Sequence, residues 1–286
     1  MSETPDWFWS AIDTKTEKHS VEVDECDINY RTWSEPGNPG LLFVHGHSAH
    51  SHWWDFIAPS FMNDFHTAAI DLSGMGDSDH RDVYTMDLFA EEILAVADAA
   101  GLPPETYLVS HSFGGIMSIQ AAARKLDRFS GLCLIDSGLK DPGDEKPPEV
   151  ERWAKPKVYP GFDAAKSRFR LRPAQTCENG YLVEYIARNS VEHIDEGWVW
   201  KFDEELDSRM EGRGDLTEAF KSLTCKLALI YGADSESFTG KSAQYMQSLA
   251  PQMQVVELAA AQHHLFLDQP LAFIETLSGI LAGWRG

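Results

Sequence analysis

The sequence predicts an α/β fold in which about eight mostly parallel strands form one sheet flanked by helices. Short apolar runs alternate with amphipathic segments along the chain, which is the pattern of strands joined by crossover helices. The chain has 286 residues, enough for one large domain. One stretch, residues 139–223, breaks the alternation. We therefore predict a core formed by residues 1–138 and 224–286, with a helical insertion after the sixth strand.

The first two predicted strands, residues 19–26 and 28–33, alternate polar and apolar side chains. This period of two is typical of a half-exposed antiparallel hairpin. The remaining strands are short, continuous apolar runs, as expected where both faces of a sheet are covered. These runs are residues 41–44, 67–70, 107–109, 132–135, 227–231 and 255–258.

Three segments between the strands have apolar residues at helical spacing, namely residues 86–100, 115–126 and 271–281. The first of them stops at Gly101, a residue type common just after a helix end. Helices at these places allow successive strands to run in the same direction.

The insertion opens with a turn-rich, charged connector at residues 141–148. We predict that its helices form a lid over a ligand pocket, because such sheets bind ligands beyond the carboxyl ends of their strands. The alternative is a helical subdomain whose aromatic residues form a core of their own. Those residues are Trp153, Tyr159, Phe162, Phe169, Tyr181, Tyr185, Trp198, Trp200 and Phe202.

Charge and composition exclude several classes of partner. The formal net charge of -21 leaves no basic surface for phosphates, so nucleic acid and anionic membranes are poor partners. The N-terminus lacks a basic start and an apolar run, and no later stretch is long enough to span a bilayer. We expect a cytoplasmic protein. Four scattered cysteines without a Cys-x-x-Cys pair are expected to be reduced: Cys26, Cys133, Cys177 and Cys225.

A strand that runs into a helix through a tight turn is the strongest functional signal. Residues 110–114 match the Gly-x-Ser-x-Gly nucleophile elbow, except that Ser110 replaces the first glycine. Small residues are needed there because strand and helix pass closely. The helix start directs backbone N–H groups, among them that of Phe113, at an oxygen that becomes negative during acyl transfer. The pattern predicts Ser112 as nucleophile; the alternative is a serine that only caps a buried helix.

With this elbow, the sequence resembles the α/β-hydrolase superfamily over nearly the whole chain, from about Val21 to the end. In that family, a His-Gly pair after the third strand opens a loop whose next backbone N–H completes the oxyanion hole. Here the pair is His45-Gly46, so the resemblance implies that His47 contributes its N–H and not its ring. The family chemistry needs no cofactor.

The same loop raises the alternative of a zinc site, because it contains four histidines at positions 45, 47, 50 and 52. Metallo-hydrolases of the His-x-His-x-Asp-His type need a carboxylate just before the third histidine. This chain has Ala49 there, so we expect no metal.

The general base is expected after the last strand, where His263 and His264 stand together. In the family, the catalytic histidine precedes an acidic residue and a proline by a spacing that matches His263 to Asp268 and Pro270. The resemblance therefore selects His263, with His264 packing beneath the lid. Gln262 departs from the glycine that is usual at its position, which bears on the shape of the loop.

The acid that orients the imidazole has three candidates. The loop after the seventh strand, residues 232–236, resembles members with Gly-Ala-x-Ser-Asp, and we place its Glu236 first. Other members carry the acid after the sixth strand, which gives Asp136. Asp234 is the third. Asp136 has the alternative role of fixing a loop through backbone N–H groups.

The resemblance implies a serine hydrolase that cleaves a carboxylic ester or related small acyl substrate through an acyl-enzyme. A serine-dependent hydrolase of carbon–carbon bonds in ring-fission products remains an alternative, since it uses the same order of triad residues. A non-catalytic small-molecule receptor is the alternative from another class. The sequence leaves open the physiological substrate, the acyl chain length and the oligomeric state.

Overall fold

The computed structural model of the chain describes residues 4–34, 36–144, 157–212 and 214–285. In chain order, its elements are α1 (Asp6–Ile12), β1 (Glu17–Val23), β2 (Cys26–Thr32), β3 (Gly40–Val44), β4 (His66–Ile70), β5 (Tyr84–Thr85), α2 (Met86–Ala99), β6 (Thr106–His111), α3 (Phe113–Arg124), β7 (Gly131–Ile135), α4 (Phe162–Lys166), α5 (Gly180–Asn189), β8 (Val191–Ile194), β9 (Gly197–Trp200), α6 (Leu206–Arg209), β10 (Met210–Glu211), α7 (Thr217–Ser222), β11 (Lys226–Gly232), α8 (Gly240–Leu249), β12 (Gln254–Leu258), α9 (Leu265–Asp268) and α10 (Pro270–Arg285). Short 3-10 turns occur at Ser51–Trp54 and Ala58–Phe61.

The main sheet has eight strands in the order β1-β2-β4-β3-β6-β7-β11-β12. The strand β2 is antiparallel to β1 and to β4, and every other neighbouring pair is parallel. This confirms the predicted eight-stranded, mostly parallel sheet. The first hairpin differs in detail, because its turn lies at Asp24 and Glu25, both with positive φ, and Cys26 begins β2.

Both faces of the sheet are covered, which explains the continuous apolar runs. In β3, Leu42 and Val44 pack into one apolar cluster, with residues of α2, α3, α7 and α8. Leu41 and Phe43 point to the other cluster, which contains residues of α1, α5, α9 and α10. All four side chains are fully buried. Each such burial stabilises the fold by about 1.5–3 kcal/mol relative to exposure.

The described part of the insertion, which follows β7, contains a β-hairpin as well as helices. The strands β8 and β9 pair antiparallel, and Gly197 has a φ of 140° at the turn. Alternating valine and tryptophan side chains favour strands here, so the expectation of helices alone was incomplete. The strand β10 also pairs with β5 of the core. Trp153 and residues 145–156 lie outside the described residues.

The aromatic residues of the insertion divide between its own core and the main domain. Trp198 packs edge-on against Phe162, with ring centroids 5.0 Å apart. Tyr181 and Tyr185 pack instead on Phe8 of α1, at 5.1 and 5.6 Å. The segment is therefore attached to the core by aromatic packing. None of the helices in the described ranges combines the length and apolarity that crossing a bilayer requires.

Candidate active site

Ser112 lies in the tight turn between β6 and α3, with φ 51° and ψ -120°. Positive φ is uncommon for a residue with a side chain, and it persists only where the surrounding structure holds the backbone in place. The turn requires Gly114, because a Cβ there would lie 2.3 Å from the carbonyl oxygen of His45. Ser110 fits in place of the family's glycine, since its Oγ hydrogen-bonds Ser118 Oγ of α3 at 2.7 Å.

Ser112 and His263 meet although 151 residues separate them in the chain. His263 lies in the loop between β12 and α9 and is 6% exposed. Its Nε2 is 2.9 Å from Ser112 Oγ, within hydrogen-bonding distance. Its Nδ1 is 2.7 Å from Oδ2 of Asp136. The hydroxyl, the imidazole and the carboxylate therefore form one continuous chain of hydrogen bonds.

Asp136 directly follows β7 and is 2% exposed. Its Oδ1 accepts the backbone N–H of Gly232 at 3.0 Å. Its Oδ2 accepts the hydroxyl of Ser235 at 2.7 Å, in addition to Nδ1–H of His263. Because both oxygens have donors, the carboxylate is held in one orientation toward the imidazole. Sequence reasoning missed the two supporting donors, Gly232 and Ser235.

Glu236, placed before Asp136 by sequence, is exposed, and the structure corrects that order. The Nδ1 position of His263, where a triad acid would bind, is occupied by Asp136. Asp234 is exposed as well, and its N–H bonds the carbonyl of Ala261 at 2.9 Å. The physical reason is that β7 and β11 are neighbours, so the loop after β11 turns Ser235 toward Asp136 and leaves Glu236 at the surface.

The loop after β3 brings His47 beside the nucleophile. The buried ring of His45 fixes this loop, since its Nδ1 donates to the Gly46 carbonyl at 2.7 Å and its Nε2 accepts the N–H of Leu72 at 3.0 Å. A Cβ on Gly46 would lie 3.2 Å from Ser112 Cβ, so the backbone passes directly by the serine.

Phe113 is the first residue of α3, and the N–H groups of a first helical turn have no partner within the helix. The rings of Phe113 and His47 meet edge-on at 5.5 Å. The two residues named for the oxyanion hole are therefore neighbours.

Three histidine rings lie together at this site. The ring of His111 is 4.7 Å from that of His263 and 5.3 Å from that of His264. Nε2 of His111 donates to the carbonyl of His263 at 3.0 Å. Burial, together with the charge of a protonated His263, holds the pKa of His111 and of His264 well below the usual value. Both neighbours are therefore neutral at neutral pH. The sequence contained no signal for the role of His111.

The histidines of the loop after β3 bind protein groups. His50 Nε2 is 2.8 Å from Ser190 Oγ, and His52 Nδ1 is 2.7 Å from Asp55 Oδ2. The ring of His47 bonds Ser48 Oγ at 2.8 Å. Within the described ranges, no group of three or more histidine, cysteine, aspartate or glutamate side chains is arranged to hold a metal ion.

Comparison with known proteins agrees with this architecture. A model of the alpha/beta hydrolase family matches residues 41–276. The pimeloyl-[acyl-carrier protein] methyl ester esterase of Klebsiella pneumoniae is 23% identical over 257 residues, which cover 88% of this chain and 96% of the relative. An esterase of Mycobacterium tuberculosis is 26% identical over 256 residues, covering 85% and 83%.

Solved structures show the same fold. The thioesterase domain from the curacin biosynthetic pathway superposes with a TM-score of 0.76 at 23% identity, covering 93% of this chain and 99% of that one. E-2-(acetamidomethylene)succinate hydrolase gives a TM-score of 0.76 at 19% identity, covering 94% and 100%. At these identities the superpositions establish the fold.

Proposed function

The chain belongs to the alpha/beta hydrolase family, and we propose that it is a serine hydrolase of carboxylic esters or related acyl substrates. The observation that carries the proposal is the continuous hydrogen-bonded chain from Ser112 Oγ through His263 to Asp136. The relatives that are named as esterases support the hydrolysis of ester bonds.

In the proposed reaction, Nε2 of His263 takes the proton of Ser112 while Oγ attacks the acyl carbon. The N–H groups of His47 and Phe113 bind the resulting oxyanion. Collapse of the tetrahedral intermediate breaks the ester C–O bond, and His263 returns the proton to the leaving alcohol. Water then attacks the acyl-enzyme with His263 again as base, which releases the carboxylic acid and restores the serine.

Asp136 supports both half-reactions, because its carboxylate stabilises the imidazolium that forms twice in each cycle. The neighbouring histidines help by staying neutral. A cation on His111 or His264 would oppose protonation of His263, whose ring lies 4.7 and 4.9 Å from theirs. Their burial supports the proposal that a single imidazole carries the transferred proton.

We also propose that residues 139–223 form a lid over the acyl pocket. The ring of Phe169 in this segment lies 6.5 Å from that of Trp53, and the ring of Trp53 is tilted against that of His264, with centroids 5.3 Å apart. Tyr185 donates a hydrogen bond to Asp55 Oδ2 at 2.6 Å, which attaches α5 to the loop after β3. These contacts of the insertion with the loop after β3, close to His264, support the proposed lid.

The test is hydrolysis of activated esters of graded chain length by the wild type and by Ser112→Ala. We expect the substitution to lower kcat by about 10³-fold or more. A matched control is Ser110→Ala, which removes a buried hydroxyl two residues away on β6. The control should keep the wild-type rate within a few-fold. Wild-type turnover by Ser112→Ala would exclude the proposed mechanism.

A vinylogous diketone added to this panel separates the alternatives. A carbon–carbon hydrolase with this triad would prefer a vinylogous diketone to simple esters, whereas a receptor would bind esters without turnover. We expect turnover of the ester to exceed that of the diketone. An irreversible phosphonate should in addition label Ser112, because it reacts with an activated serine hydroxyl.

A further inference from the structure

The backbone N–H groups of the two residues that flank His263 are both held by side chains. The N–H of Gln262 donates to Oδ2 of Asp268 at 2.7 Å. The N–H of His264 donates to Oε1 of Gln175 at 2.9 Å. The backbone that carries the imidazole is therefore fixed from two directions.

Gln175 connects these two contacts. Its Nε2 donates to both carboxylate oxygens of Asp268, each at 3.0 Å. Its Oε1 also accepts Nδ1–H of His264 at 2.8 Å. The reverse orientation of the amide would set its oxygen against a carboxylate and its NH₂ against two N–H donors. The side chain of Gln175 thus completes a hydrogen-bonded path from the N–H of Gln262, through Asp268, to the N–H of His264.

Gln175 belongs to the insertion, whereas Asp268 and His264 belong to the core. Further contacts fasten the same segment to α9. Asn179 Nδ2 donates to the carbonyl of Leu267 at 2.8 Å and to that of Asp268 at 3.1 Å. The insertion is therefore bonded directly to the part of the chain that presents the imidazole.

We propose that Gln175 is a positioning residue, which sets the orientation of the imidazole of His263 and couples the insertion to it. The inference rests on the proposed function, since the imidazole is the base in that reaction. Gln175 acts through the backbone on either side of His263 and makes no bond to the ring. Because a shift of about 1 Å in a reacting group can cost about 100-fold in rate, loss of this connection should lower turnover.

The principal test is Gln175→Glu, a change that preserves size and shape. One carboxylate oxygen still accepts from His264, but the other replaces the NH₂ donor and faces Asp268. Repulsion between the two carboxylates should displace the loop. We expect kcat on an activated ester to fall by about 10- to 100-fold, with KM changed by less than about 3-fold.

Combining Gln175→Glu with Asp268→Asn should rescue activity. The new amide can donate to the new carboxylate and still accept the N–H of Gln262, so the pair is restored with its roles exchanged. Asp268→Asn alone places a second amide side chain against that of Gln175, so that two NH₂ groups face each other. We expect its kcat to be lower than that of the wild type. We expect the double variant to exceed both single variants in kcat by at least about 3-fold, a reversal that a general packing role does not predict.

The matched control is Gln120→Glu, which brings a carboxylate against Asp87 between α3 and α2, where the two side chains are 2.8 Å apart. It should retain wild-type kinetics. Thermal unfolding of each variant identifies any that do not fold. If Gln175→Glu is among them, the near-isosteric Gln175→Met takes its place in the single-variant test and should show the same fall in kcat.

Wild-type kcat in the folded Gln175 variant, or a folded double variant no better than the poorer single variant, would overturn the positioning role. Failure of the proposed function has a different signature, which is unchanged ester turnover in Ser112→Ala. The two outcomes are independent, because the first compares variants of an active enzyme and the second asks whether the serine is needed.

Discussion

At the scale of single residues, the carboxylate beside His263 is held by donors from a neighbouring strand. Asp136 follows β7, and its oxygens accept hydrogen bonds from Gly232 and Ser235 at the end of β11. A buried carboxylate is stable only with such partners. The contact between the two strand ends therefore creates the environment in which this residue can face an imidazole.

Substitution of the two acid candidates should give opposite results. Asp136→Asn removes the charge that stabilises the imidazolium and favours the wrong tautomer of His263, so we expect kcat to fall by about 10³- to 10⁴-fold. Glu236→Gln changes an exposed side chain and should leave kcat within about 2-fold of the wild type.

Both variants are assayed on the same activated ester, with circular dichroism to verify folding. A large loss in Glu236→Gln together with an active Asp136→Asn would contradict the observed arrangement.

At the scale of elements, one carboxylate links three parts of the chain. Asp77 lies in the loop between β4 and β5, bonds Lys18 of β1 at 2.7 Å and bonds Lys201 of the insertion at 2.5 Å. Burial alone would raise the pKa of Asp77, but the hydrogen bonds from Lys18 and Lys201 outweigh it and hold that pKa well below its usual range. The ionised form is therefore the form that the folded protein stabilises.

We expect Asp77→Asn to lower the free energy of unfolding by about 1 kcal/mol at pH 7. A pKa that is lower in the folded state stabilises the fold above the unfolded-state pKa, near 3.8, and the contribution is lost as the pH falls below it. The difference between variant and wild type, measured by urea unfolding, should therefore shrink between pH 7 and pH 3.

Lys201→Met, alone and together with Asp77→Asn, completes a double-mutant cycle for the contact with the insertion. Equal differences at both pH values, or strict additivity in the cycle, would contradict the proposed link.

At the scale of the whole molecule, six histidines of the described ranges are buried, and four of them have a lowered pKa. Burial is the main cause for His45, His50, His111 and His264. Unfolding exposes the rings and lets them bind protons near pH 6.5. Burial raises the pKa of Glu92 and of Asp268. Because these two carboxyls bind protons more readily in the folded state, they stabilise the fold as the pH falls, which opposes the effect of the histidines.

We therefore expect the free energy of unfolding to decrease as the pH falls from about 7.5 to about 5.5. The sign follows because the unfolded chain binds more protons there, so acid favours unfolding. Each of these four histidines contributes up to about 1.4 kcal/mol per pH unit. Denaturant unfolding across this range measures the slope.

His50→Gln removes one of these four histidines outside the proposed active site, so it should reduce the slope by up to about 1.4 kcal/mol per pH unit. Substitution of the exposed His80 is the control and should leave the slope unchanged. An unfolding free energy that is constant over this range would refute the prediction.

Much of the architecture follows from local patterns. The alternation of apolar runs and amphipathic segments predicted all eight strands of the main sheet, and residues 110–114 predicted the strand-turn-helix at Ser112. The spacing to Asp268 and Pro270 selected His263, the histidine whose ring meets that serine. These features depend on side-chain period, turn sterics and order along the chain, all of which a sequence displays.

Contacts between side chains of distant segments could be identified only from the tertiary structure. The choice between Asp136 and Glu236 depends on how the loop after β11 turns against β7, and His263 lies 127 residues from the aspartate that it contacts. The link from Gln175 to the histidine loop spans 89 residues and requires the insertion to be docked. Such contacts follow from long-range packing, because several carboxylates and amides are equally compatible with the local pattern until the elements meet.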